Sequence, residues 1–154
     1  TTATTEPATT TTTAPTEEEA ILAAYQGYWD TWLKANDPPD PDHPDLVNYA
    51  TGAALENARL AIANHQRLGQ VIRLPADSQI SSLAEVDSLE VSVATVSDCA
   101  TDDSKLLDAA TGIVLDGEEA TFRFEASMHL EDGEWRVATV ESIEKWEGIV
   151  ECAE

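Results

Sequence analysis

The sequence predicts an α+β fold: about three helices followed by five or six antiparallel strands. Three observations predict it. Apolar residues recur at one-turn spacing through the first half of the chain. From about Val71 the recurrence switches to every second residue. The two patterns are segregated along the chain rather than interleaved, which separates this class from a parallel α/β sheet. At 154 residues the chain holds one domain's worth of material.

Residues 1–16 read TTATTEPATTTTTAPT and hold ten threonines and two prolines. No large apolar side chain is present to offset ordering entropy, so the segment is expected to be a disordered tether, residues 1–16, ahead of a single folded domain, residues 17–154. Thr/Pro-rich tracts of this kind serve as extracytoplasmic stalks. Any signal peptide or lipid-bearing cysteine is expected upstream.

Thr16-Glu17-Glu18-Glu19 has the form of a capping box, with three carboxylates at the positive end of the helix dipole. Ile21, Leu22, Tyr25, Tyr28, Trp29, Trp32 and Leu33 then recur at one-turn spacing and form one apolar helix face. Glu18, Gln26, Asp30 and Lys34 fall on the other faces. Four prolines between Asn36 and Pro44 stop the helix. Asp45 to Ala50 reads as a short helix. A longer helix runs from about Ala53 to Leu68, with Leu55, Ala58, Ile62 and His65 on one stripe and Gly69 as its C-cap.

Val71 to Leu74 opens the first strand, and Ser78 to Val86 is a weaker candidate. Leu89 to Cys99 reads as one strand, with Val91 and Val93 on one face and Ala94 and Val96 on the other. Leu106-Leu107 and Ile113 to Leu115 flank a turn at Thr111-Gly112. Ala120 to Leu130 alternates: Phe122, Phe124, Ala126, Met128 and Leu130 face inward, and Thr121, Arg123, Glu125, Ser127 and His129 face outward. Asp132-Gly133 forms a hairpin turn into Trp135 to Val140, and a last strand is expected from about Glu144 to Cys152.

On the aromatic first helix, the short-then-long helix pair and the hairpin Leu130-Glu131-Asp132-Gly133-Glu134-Trp135-Arg136-Val137, residues 17–152 resemble the nuclear-transport-factor-2-like superfamily (SnoaL-like, cystatin-like). The resemblance implies a curved antiparallel sheet that wraps a long N-terminal helix as a cone-shaped roll with a cavity. A narrower string is Tyr28-Trp29-Asp30, the Pro/Asp loop from Asp37 to Pro44, and Tyr49 to Leu55. It is similar to secreted or lipid-anchored actinobacterial proteins and implies an envelope address.

The net charge is −22, with eight Lys+Arg against 30 Asp+Glu. Eight scattered cations cannot neutralise a run of phosphates, so nucleic acid and anionic lipid are excluded as partners. No apolar stretch reaches the length of a transmembrane helix, and membrane anchoring would come only from an upstream signal. Cys99 and Cys152 lie outside any CxxC motif, beside Asp98 and Glu151. The favoured reading is one disulfide pinning the last strand to a central one; two separate buried thiols are the alternative. Closing that loop contributes on the order of 4 kcal/mol in the chain-entropy model.

Enzymes of the resembled superfamily, such as ketosteroid isomerase, place a Tyr and carboxylates inside the cone, where desolvation tunes them. The counterparts to test here are Tyr28 as donor with His65 or Asp98 as base, Asp98 being read at a strand end. Tyr25, Tyr28, Trp29, Trp32, Phe122, Phe124, Met128 and Trp135 are the residues expected to line a pocket. The same aromatics equally serve as plain core. The acidic cluster Asp37, Asp40, Asp42 and Asp45 lacks the central Gly and the bidentate Glu of a calcium loop, so no metal is expected. No phosphate loop, nucleophile elbow or HExxH occurs, and no cofactor is called for.

The sequence therefore favours a non-catalytic, extracytoplasmic domain, secreted or tethered at the cell envelope. It would bind a small apolar ligand or a partner protein. Two alternatives stand: a small isomerase, cyclase or dehydratase using the cone, or an accessory subunit that dimerises through the face carrying Arg123, Glu125 and His129.

Overall fold

In the computed structural model, which describes residues 2–5, 7 and 14–153, three helices precede eight strands. Most of the Thr-rich segment expected to be a tether lies outside the described residues. Helix α1 (Glu17–Ala35) starts at the expected capping box: Glu19 N donates to Thr16 Oγ1 at 3.2 Å, and Thr16 N donates to the Glu19 carboxylate at 3.3 Å. Ile21, Ala24, Tyr25, Tyr28, Thr31 and Ala35 form its buried stripe. After the proline loop come the one-turn α2 (Leu46–Tyr49) and the longer α3 (Gly52–Leu68), which closes on Gly69 at φ 66°, the left-handed conformation that favours glycine.

Gly27 has a packing reason. A Cβ there would collide with the ring of Tyr49, so the missing side chain is what lets α2 lie against α1. Ala35, Leu46, Ala58 and Ile62 make a small second core among the three helices, with Trp32 and Leu55 packed on it.

The strands are β1 (Gln70–Arg73), β2 (Ser81–Ser82), β3 (Glu85–Leu89), β4 (Val93–Asp102), β5 (Lys105–Asp108), β6 (Val114–Asp116), β7 (Ala120–Glu131) and β8 (Glu134–Glu147). The α+β class holds. The strands divide into two antiparallel sheets, however. One is β1-β5-β6; the other has the order β2-β4-β7-β8, with β3 also paired to β4. The ladder between β4 and β7 runs unbroken from Val93↔His129 to Asp102↔Ala120. Directly opposed residues share a face, so Ala94, Val96 and Asp98 stand beside Met128, Ala126 and Phe124 on the side facing α1. Tyr25, Tyr28, Met128, Trp135 and Val137 fill the main core there.

Three strand boundaries differ from expectation. The single strand Leu89–Cys99 is a corner: β3 ends at Leu89, the chain turns at residues 90–92, and Val91 is 93% exposed. Glu90 N donates to Val93 O at 2.8 Å and closes the turn without any Gly, Pro, Asn or Asp to announce it. The two strands expected after Trp135 are one, β8, which follows β7 through register shifts at Arg123/Phe124 and Ser127/Met128. Cys152 lies beyond β8.

The expected disulfide Cys99–Cys152 is present, and it pins a C-terminal segment rather than a strand. That segment folds back over the sheet face opposite α1. Thr121 Oγ1 donates to Gly148 O at 2.8 Å and accepts from Val150 N at 3.0 Å, while Arg123 donates to Ala153 O. Thr121, expected to face outward, is consequently fully buried. Among the described residues no helix is long and apolar enough to cross a membrane.

Candidate ligand pocket

The packed core does not fill the whole space between α1 and the sheet. A cavity of about 210 Å³ opens at one end, between α1 and the β2–β4 edge. Helix α1 supplies Trp29, Asp30, Trp32 and Leu33, spaced at one turn, so a single flank of the helix forms that wall. Strand β4 supplies Asp98, Ala100 and Asp102, the same parity as the core residues Ala94 and Val96. Phe124 of β7 and the segment Ile80–Ser82 complete it. Lys and Arg are absent from the lining, whereas Asp30, Asp98 and Asp102 are all acidic.

Asp98 is the most constrained of these groups. It is 3% exposed, and its carboxylate accepts from Tyr25 Oη at 2.9 Å, Ser82 Oγ at 2.8 Å and the Leu83 amide at 2.9 Å. A carboxylate has about four acceptor positions, so three are occupied. Burial and the Asp98 charge push the Tyr25 phenol far above its usual range, and the Trp29 indole beside it offsets part of that rise. Trp29 Nε1 is itself buried with no hydrogen-bond partner among the described residues.

The rings form a continuous series. Tyr28 and Trp29 meet edge to face at 5.0 Å, Trp29 and Phe124 lie tilted at 5.1 Å, and Phe124 stacks on Phe122 at 5.1 Å. Phe122 lines a neighbouring hollow of about 160 Å³ between the two sheets, with Lys145 Nζ 5.6 Å from its ring centre. The two hollows share Asp102 and Ser104.

Of the residues expected in the pocket, Trp29, Trp32 and Phe124 line it, and Tyr25 backs it through Asp98. Tyr28, Met128 and Trp135 do not line it. Tyr28 is buried beside Trp29, and burial alone pushes its phenol up to about 12. Trp135 sits at the start of α1, where its indole donates to Glu17 at 2.8 Å.

The three acid/base candidates are not brought together. His65 belongs to the helical second core: its Nδ1 bonds Asn36 Oδ1 at 2.7 Å, its ring meets Trp32, and burial lowers its pKa. The donor that reaches Asp98 is Tyr25, not Tyr28. Asp98 is at mid-strand, not at a strand end. Parity held the missing signal: continuing the inward face from Ala94 and Val96 by two residues reaches Asp98.

A second buried carboxylate, grouped in sequence with Asp98 and Asp102 as an acidic cluster without a calcium-loop pattern, holds the loop that leads to the wall. Asp103 is 3% exposed and accepts from Ser78 Oγ at 2.6 Å and from the Gln79 amide. Burial alone would raise its pKa, but those bonds and the nearby Lys105 charge hold it below the usual carboxylate range. It anchors the loop that leads into Ile80–Ser82. Among the described residues no three His, Cys, Asp or Glu side chains converge as a metal site.

No family model matches the chain, and no curated protein matches it in sequence. Solved structures do match it. The intermembrane space region of the chloroplast protein ARC6 overlays with a TM-score of 0.61 at 16% identity, over 84% of this chain and 98% of that one. A domain from Xanthomonas campestris, described as a calcium/calmodulin-dependent protein kinase II association domain, overlays with a TM-score of 0.45 at 16% identity. It covers 82% of this chain and 93% of that one. The first likeness shows a shared fold and nothing beyond it.

Proposed function

We propose that this chain is a non-catalytic, extracytoplasmic binding domain of the nuclear-transport-factor-2-like kind, and that the pocket between α1 and the β2–β4 edge takes a small ligand. The observation that carries the reading is the state of Asp98. Its hydrogen bonds tie Tyr25, Ser82 and Leu83 into a fixed wall, while neither Tyr28 nor His65 stands beside it to complete an acid/base set. A rigid aromatic pocket with a few placed polar groups suits binding. The extracytoplasmic address is supported by the disulfide, which persists in oxidising compartments.

Protein-observed NMR with a mixed set of neutral, anionic and cationic fragments tests the reading. Hits are expected to shift the Trp29 indole and Phe124 ring resonances, and Ala100→Trp, which fills the pocket, is expected to abolish them. Absence of any hit, or hits that survive Ala100→Trp, would overturn it.

A further inference from the structure

Buried charges in proteins are normally paired. Asp98 is buried, yet it takes part in neither of the two ion pairs found among the described residues, Arg73–Asp37 and Arg136–Glu134. Its three partners are all neutral donors. Two further carboxylates, Asp30 and Asp102, stand at the same cavity, and no cation of the chain lines it. Three ring systems stand among the remaining lining, beside aliphatic Leu33 and Ile80 and several small hydroxyl side chains: Trp29 and Phe124 lie 5.1 Å apart, and Trp32 is the third.

We infer that the pocket takes a small organic cation, a primary or quaternary ammonium carried on a short apolar body. The inference rests on the binding reading above and names the ligand class. Ring faces attract an ammonium, and they do so more strongly where water is excluded. A carboxylate at the pocket wall supplies the opposing charge. The net charge of −22 adds a long-range field that concentrates cations in an acidic, low-dielectric cleft. A cavity of about 210 Å³ suits a compact ligand such as a benzylamine or a choline. Among the described residues no three carboxylates converge as a ligand set, which favours an organic cation over a divalent metal.

The test compares isosteric pairs by calorimetry: benzylamine against benzyl alcohol, and choline against its neutral tert-butyl isostere. Each cation is expected to bind on the order of tenfold tighter than its neutral partner. Asp98→Asn is expected to erase that preference, read as the ratio of cation to neutral affinity within each pair. The exchange is isosteric, because the Tyr25 and Ser82 hydroxyls can turn to accept from an amide. If Asp98→Asn does not fold, the double variant Asp30→Asn/Asp102→Asn carries the same expectation with a several-fold loss. Equal binding of both members of each pair overturns the inference and leaves the pocket reading standing. No binding by any member overturns both. Displacement of choline by millimolar calcium also overturns it, since an acidic surface alone would then explain the effect.

Discussion

A carboxylate that is 3% exposed would be driven toward water unless donors replaced its hydration, and Tyr25 is one of the three donors that do so. Tyr25→Phe is expected to cost about 1–3 kcal/mol in chemical denaturation, because it leaves a buried charged acceptor short of a partner. Tyr28→Phe removes a hydroxyl with no recorded partner among the described residues and is expected to cost well under that. Both phenols are raised by burial, so the native state holds protons that the unfolded chain releases above its ordinary value of 10.0. The stability these two phenols contribute is therefore complete below pH 10 and is lost as pH rises through about 12 and beyond. Phenolate absorbance is expected to show two tyrosines ionising only late or together with unfolding. The Tyr25–Asp98 bond was not legible in the sequence, because 73 residues separate the partners and only the fold supplies the pairing.

Two elements carry their own tests. The loop before β2 is held by Asp103, and Asp103→Asn replaces one acceptor oxygen by a donor. Faster hydrogen exchange at the Gln79 amide is expected, with weaker ligand binding because Ile80–Ser82 form the pocket wall. The wild-type carboxyl is held low, so its contribution is present above the ordinary value of 3.8 and is lost as pH falls through the depressed one. In α1, Gly27→Ala gains about 0.5–1 kcal/mol of helix propensity but drives a methyl group into the Tyr49 ring, an overpacking cost of about 1–3 kcal/mol. Net destabilisation is expected by thermal melting, and the sign is expected to reverse in a Tyr49→Ala background. At this scale the sequence was a good guide wherever local chemistry decides. The Thr16–Glu19 capping box, the Gly69 stop and the Asp132-Gly133 turn are each written in four residues or fewer. The turn at residues 90–92 has no such signature. The merging of the last two strands into β8 depends on the partner strand β7, not on its own residues.

For the whole molecule, the segregated helix and strand patterns carried the class. They did not show that the strands split into two sheets, because β1, β5 and β6 are short and β1 finds β5 only across a long sequence separation. The disulfide was legible from the cysteine count; its placement over the outer sheet face was not. Reduction is expected to lower the melting temperature by roughly 10 °C, from about 4 kcal/mol of lost loop constraint. The same bond has a mechanical consequence. Residues 99 to 152 form a covalent ring, so a pull on the end of the chain beyond Cys152 bypasses β7 and β8 and reaches the middle of β4 directly. Under tension the oxidised protein can release only what lies outside the ring. In single-molecule stretching, a reductant is expected to add the hidden 53 residues, roughly 180 Å of extra contour length.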